Sequence, residues 1–184
     1  ETTPTTSNQS EIEAKKAETE KRRQEELDKI ATNIFPNTKV KDIVYHGTIH
    51  DFEKFNKGIN VGFLQESGVY FTNKYDAAKN WALNFDKEKA RVIPVVLNIQ
   101  ASDIYSSKTK SENGMTFQDK VLELKEENPD SIIFDNKDEI LVFDTNQIHI
   151  LSQEELSNID KINAKYDAEL KALEQSLKET TKAE

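Results

Sequence analysis

The chain has no cysteine, three arginines and three histidines among 184 residues, and no apolar run near the length of a membrane span. The missing cysteine excludes disulfides and thiolate-bound zinc and leaves the compartment open. Without roughly 20 successive apolar residues, or a charged-then-apolar leader, the chain is expected to be soluble, or a soluble piece of a larger protein, with no membrane partner. Basic charge is in deficit, 25 Lys and Arg against 34 Asp and Glu, for a net charge of −9. Tight binding to a phosphate backbone draws its affinity from Lys and Arg, so nucleic acid is left only as a transient substrate. Apolar residues are also scarce. At 35% hydrophobic, 32% charged and a mean hydropathy of −0.75, one core is expected and part of the length should lie outside it.

The ends supply that excess. Residues 1–9 are Thr-rich and polar and read as a disordered lead-in. Ser10 with Glu13 forms a capping-box pattern, so a helix is expected over 10–36, stopped near Pro36. Its first half has almost no apolar stripe, and the Lys21-Arg22-Arg23 run, flanked by acids, reads as a solvated face. At the other end, Ser152 and Glu155 make a second capping box, opening a helix over 152–184. Leu156, Ile159, Asn163, Tyr166, Leu170, Leu173 and Leu177 form one narrow stripe of coiled-coil spacing with a polar residue on it. That stripe leaves three partners open: the N-terminal helix, a second copy, or the remainder of a larger polypeptide.

Between the ends, over 38–151, β-branched and aromatic residues gather in short runs. Strands are expected at 40–45, 68–72, 91–99, 131–135, 139–144 and 147–151, with Pro94 placing the third at an edge or a bulge. Ala77, Ala78, Trp81, Ala82 and Phe85 recur at spacings of three and four, predicting a helix over 74–85 packed on the sheet, and a short helix is expected over 116–128. Consecutive strands joined by short turns indicate an α+β fold rather than a doubly wound parallel sheet.

The chemistry is concentrated in Tyr45-His46-Gly47-Thr48 and Gly68-Val69-Tyr70-Phe71-Thr72. A glycine beside a histidine lets backbone approach a planar ligand, so that its N–H and C=O can bond a carboxamide. A tyrosine face can stack on an aromatic or cationic ring. A carboxylate nearby would stabilise an oxocarbenium-like centre at an anomeric carbon. Cleavage of a nicotinamide–ribose bond needs those three functions. His50 and His149 are expected at the surface, and no nucleophile elbow supports a Ser-His-Asp hydrolase.

These segments, with Asp138-Glu139-Ile140-Leu141-Val142-Phe143-Asp144, resemble the three signature strands of the ADP-ribosyltransferase fold in its His-Tyr-Glu branch, which includes diphtheria-toxin-like enzymes and poly(ADP-ribose) polymerases. Phe52 with Phe55, the helix after the tyrosine strand, and Val95 to Ile99 are closer still to the compact transferase domains of phage and mobile-element polyvalent proteins. The resemblance covers about 39–151 and implies a split antiparallel sheet core with few helices, here flanked by long helices. It implies NAD as co-substrate, no metal, and an acceptor that could be a host protein or nucleic acid. His46, Tyr70 and Glu139 would be catalytic: His46 bonding the adenine-side ribose, Tyr70 stacking on nicotinamide, Glu139 bonding the nicotinamide-ribose 2′-hydroxyl and polarising the scissile bond. His46, Gly47, Thr48, Tyr70 and Phe63 would bind the dinucleotide, Gly47 through its backbone and Phe63 as an apolar cover. A phage-derived effector or toxin would act in the host bacterial cytoplasm.

Lys137 stands where arginine-modifying relatives carry Gln or Glu two residues before the catalytic glutamate, which disfavours arginine as acceptor. Asp135 and Asp138 near Glu139 lack the further ligands a metal pair would need. An RNA 2′-phosphotransferase of related fold would need arginines clamping phosphates, and Arg22, Arg23 and Arg91 are the whole supply. A catalytically silent binding or scaffold module, acting through the C-terminal helix, is the other alternative.

Overall fold

The β-branched runs assemble into one sheet, seven-stranded among the described residues, in the spatial order Ser102–Tyr105, Ser131–Phe134, Glu139–Val142, Val69–Thr72, Val44–Thr48, Arg91–Leu97, Ile148–Ile150. The computed structural model describes residues 5–51, 53–55, 68–100, 102–105, 117–127, 130–134 and 138–182. Ala31–Leu151 forms one compact unit, and the long terminal helices, up to Ile30 and from Ser152, form another. In the first, the strands are β1 (Val44–Thr48), β2 (Val69–Thr72), β3 (Arg91–Leu97), β4 (Ser102–Tyr105), β5 (Ser131–Phe134), β6 (Glu139–Val142) and β7 (Ile148–Ile150). All neighbours run antiparallel except β4 and β5, which are parallel. The fold is thus α+β, as expected.

Alternation along the strands sorts side chains onto two faces. On one, Val44, Phe71, Val95, Leu97 and Ile140 join Val40, Phe55 and Ile99 in the larger core. On the other, Ile132, Phe134, Leu141 and Phe143 pack with Val121 of α3 (Phe117–Glu127). The helix α2 (Tyr75–Leu83) lies against β1, burying Ala78 and Ala82.

Several expectations need correction. The first strand begins at Val44, not Val40, and runs through the His-Gly-Thr triplet. The segment before it is held instead by Thr38, whose hydroxyl donates to the Leu97 carbonyl at 2.5 Å and accepts from the Ile99 N–H at 3.1 Å. Pro94 sits in an interior strand opposite Tyr45, between β1 and β7. Its carbonyl accepts from Leu151 N–H just beyond the end of β7, so the donor it lacks belongs to the last rung of that ladder, where the loss is least. Strand β4 was not anticipated: Ser-Asp-Ile-Tyr has too little β-branched content to announce itself. His149 is half-buried, edge-on to Phe35 at 6.3 Å, rather than facing solvent.

In the second unit, α1 (Thr5–Ile34) and α4 (Gln153–Lys182) run antiparallel: Arg22 pairs with Glu169, Arg23 with Asp167, and Glu26 with Lys165, each at 2.8 Å. Helix α4 is thus paired with α1 within the chain. Tyr166 anchors it, 2% exposed, donating to Glu26 at 2.6 Å beneath the Arg22 guanidinium. Helix α1 starts at Thr5, so residues 5–9 are helical rather than disordered, and Ser10 lies inside the helix rather than capping it. The second capping box does form: Glu155 N–H donates to Ser152 Oγ at 3.2 Å, and Ser152 N–H to Glu155 Oε2 at 2.7 Å. Ser152→Ala should therefore lower stability by about 1 kcal/mol in chemical denaturation.

Candidate functional site

Strands β6, β2 and β1 lie side by side, and their register places Glu139 opposite Thr72 and Thr72 opposite Tyr45. Paired residues share a face, as do residues two apart. Glu139, Thr72, Tyr70, Tyr45 and Gly47 therefore occupy one face of the sheet. Glu139 is exposed at the start of β6. Its position is set from the preceding residue: Asp138 accepts from Asn73 N–H through its carbonyl at 3.1 Å and from Lys74 Nζ through its carboxylate at 2.6 Å. Burial, and secondarily the Glu139 charge, push the Tyr70 phenol up to about 12, so it stays protonated at any physiological pH. One side of the Tyr70 ring is taken by Phe134, stacked at 6.1 Å and 20°.

His46 is placed differently. Its ring contacts Phe55 at 5.1 Å and Phe71 at 5.7 Å, on the face opposite the Tyr70 phenol. The two residues are nevertheless joined, because His46 Nδ1 lies 2.8 Å from the Tyr70 carbonyl oxygen. A carbonyl only accepts, so Nδ1 carries the proton and Nε2 of the neutral ring is an acceptor. Strands β1 and β2 pair only at Tyr45 and Thr72 among the described residues. Beyond that point the ladder opens, and the imidazole bridges it.

Burial lowers the His46 pKa below 6.5, against a smaller opposing effect of the Tyr70 carbonyl. The unfolded chain then binds more protons than the folded one. The stability His46 contributes is fully present above pH 6.5 and is lost as pH falls through its lowered folded pKa. Denaturation midpoints should fall as pH is lowered from 7.5 towards 5, and fall less steeply in His46→Gln.

At the open end of the β1–β2 pair lies a cavity of about 40 Å³, lined by His46, Gly47, Thr48, Ile49, His50, Trp81, Ala82 and Phe85. It has room for a few waters or a small polar group. The Thr48 hydroxyl accepts from His50 N–H at 3.1 Å, which shapes the turn at the cavity mouth. Gly47 has a reason to be glycine apart from any ligand: a Cβ there would stand 2.0 Å from the Ala78 carbonyl oxygen. The close approach expected of a ligand is made by α2.

Trp81 and Phe85 depart most from expectation. They are not core residues but 55% and 51% exposed, in edge contact at 5.4 Å, and Phe85 lies past the end of α2. Ala78 and Ala82 are buried against β1, and Trp81 and Phe85 are left at the cavity rim. The sequence signal was available: small residues at 78 and 82 facing a glycine mark a close helix–strand contact with no room for a large ring. Phe63, Phe52, Asp135 and Lys137 lie outside the described residues. Among the described residues no group of His, Asp and Glu could hold a metal ion, and no helix is long and apolar enough to cross a membrane.

A protein-family model described as ADP-ribosyltransferase in polyvalent proteins matches residues 37–158, which contain the whole sheet and every residue of this site. No curated protein matches the chain.

Proposed function

The chain belongs to the family of ADP-ribosyltransferases in polyvalent proteins, and from that premise we propose that it cleaves the nicotinamide–ribose bond of NAD and transfers ADP-ribose to an acceptor. The observation that carries this reading is the alignment of Glu139, Tyr70 and Gly47 on one face of three adjacent strands, beside a small cavity lined by His46 and Gly47.

The nicotinamide enters at Gly47, whose backbone bonds the carboxamide. Trp81, 55% exposed at the rim, is the aromatic side chain we assign to the pyridinium ring, since one side of Tyr70 is already covered by Phe134. Tyr70 then packs the ring from within the sheet and offers a protonated hydroxyl. His46 accepts from a ribose hydroxyl through Nε2, in the tautomer fixed by the Tyr70 carbonyl. Glu139 accepts from the 2′-hydroxyl of the nicotinamide ribose, and its charge opposes the positive charge that grows on the anomeric carbon as the C–N bond breaks. The bonding pair departs with nicotinamide, neutralising the pyridinium nitrogen. The acceptor then forms its bond to the anomeric carbon and loses its proton to solvent or a base.

Trp81 is the single tryptophan of the chain, so its fluorescence reports on this rim alone. NAD and nicotinamide should each quench it saturably. Trp81→Phe should keep activity near wild type, and Trp81→Ala should raise KM for NAD about tenfold through loss of stacking, with a smaller change in kcat. An unaltered emission at saturating NAD would remove nicotinamide from this position.

A further inference from the structure

NAD carries a diphosphate, and the chain that would receive it has a net charge of −9 and places Glu139 in the same site. His46, kept neutral by burial, offers no compensating charge. Of the three arginines, Arg22 and Arg23 are engaged between α1 and α4. Arg91 is the one that belongs to the sheet.

Arg91 opens β3 directly opposite Thr48, which lines the cavity. Directly paired residues on antiparallel strands hold their Cβ atoms about 5 Å apart on the same face. The guanidinium therefore originates beside the mouth shaped by Thr48, Ile49 and His50. It points to Asp51, the next residue of that turn, with Nη1 2.8 Å from Oδ1. The pair is open to solvent, Arg91 at 45% and Asp51 at 86% exposure. Such surface pairs contribute little and exchange readily. The arginine fork is also well matched to two phosphate oxygens, better than to a single carboxylate contact.

We propose that Arg91 is the diphosphate-binding residue of this site, held by Asp51 in the free protein and transferred to the phosphates when the dinucleotide binds. The inference rests on the NAD reading above and adds to it a residue outside the His-Tyr-Glu set. Asp51 then competes with the ligand for the guanidinium, so removing its charge should tighten binding.

The test is calorimetric titration of the full chain with ADP-ribose and, separately, with adenosine, which lacks the diphosphate. Arg91→Ala should weaken ADP-ribose at least about tenfold and leave adenosine unchanged. Arg91→Lys, which keeps the charge but loses the fork, should fall between, and Asp51→Asn should bind ADP-ribose about two- to fivefold more tightly. Thermal melts of the variants should overlay wild type, since both side chains are at the surface. Equal ADP-ribose affinity in Arg91→Ala and wild type overturns the proposal and leaves the NAD reading standing. Parallel loss of adenosine and ADP-ribose overturns it as well, because the arginine would then act on something other than the phosphates. A wild-type chain that binds neither ADP-ribose nor NAD overturns both.

Discussion

Glu139→Gln should bind NAD as tightly as wild type, read from Trp81 quenching, and release nicotinamide at least about 100-fold more slowly. The substitution keeps size and hydrogen-bonding capacity at the 2′-hydroxyl and removes only the negative charge. In the ground state the ribose is neutral, so little binding energy is at stake. Charge develops at the anomeric carbon only as the bond breaks, and removing one preorganised electrostatic partner there typically costs factors of 10²–10³ in kcat. A fall in kcat with KM unchanged is the signature of an interaction made in the transition state. The fold should not be disturbed. Glu139 is exposed, and its strand is secured by the buried Ile140, Leu141 and Val142 and by pairing to β2 and β5. Equal slowing through KM would recast Glu139 as a binding residue.

Gly47→Ala should be the more damaging of the two glycine-to-alanine changes among the described residues. Its Cβ would lie 2.0 Å from the Ala78 carbonyl oxygen and 2.8 Å from that carbonyl carbon, both backbone atoms in the middle of α2. No side chain can turn aside to make room, so the helix must lift from β1 and expose Ala78 and Ala82. Overpacking of this kind costs about 3 kcal/mol, or roughly 6–12 °C in Tm for a chain of this length. Activity should fall with it, because Trp81 rides on the same helix and Phe85 follows directly after it. Loss of activity in this variant is therefore no proof that Gly47 bonds the nicotinamide. The melt decides: an unchanged Tm would mean that α2 does not press on β1 as described. Gly68→Ala is a related case at the other side of β2, with its Cβ 2.3 Å from the Val142 carbonyl oxygen.

Much of the architecture could be read from local chemistry. Val-Ile-Pro-Val-Val-Leu and Glu-Ile-Leu-Val form strands as their β-branched and apolar content suggests, and the Ser152–Glu155 box opens its helix as the pattern requires. What could not be read is non-local. Local patterning alone does not say that β2 inserts between β1 and β6, although this is what brings Glu139, about seventy residues away, opposite Thr72 and onto the same face as Tyr70 two residues along β2. The same register decides that the His46 ring and the Tyr70 phenol fall on opposite faces, joined through a main-chain carbonyl rather than side chain to side chain. Helical spacing grouped Trp81 and Phe85 with Ala78 and Ala82, since an apolar stripe spans more than 100° and its width does not tell which residues reach the sheet. The bulk of the partner decided that, and the partner is Gly47. Ser10 failed as a cap because the chain before it continued as helix, and propensity at one residue is a weak constraint when the flanking residues tolerate the helix.

The most direct measurement is nicotinamide release from NAD by the wild-type chain, in the presence of a bacterial lysate as a source of acceptors, run beside Glu139→Gln. The account predicts catalytic release by wild type, many nicotinamides per protein molecule, and its near-abolition by the substitution. No release, or release that Glu139→Gln leaves unchanged, would contradict it.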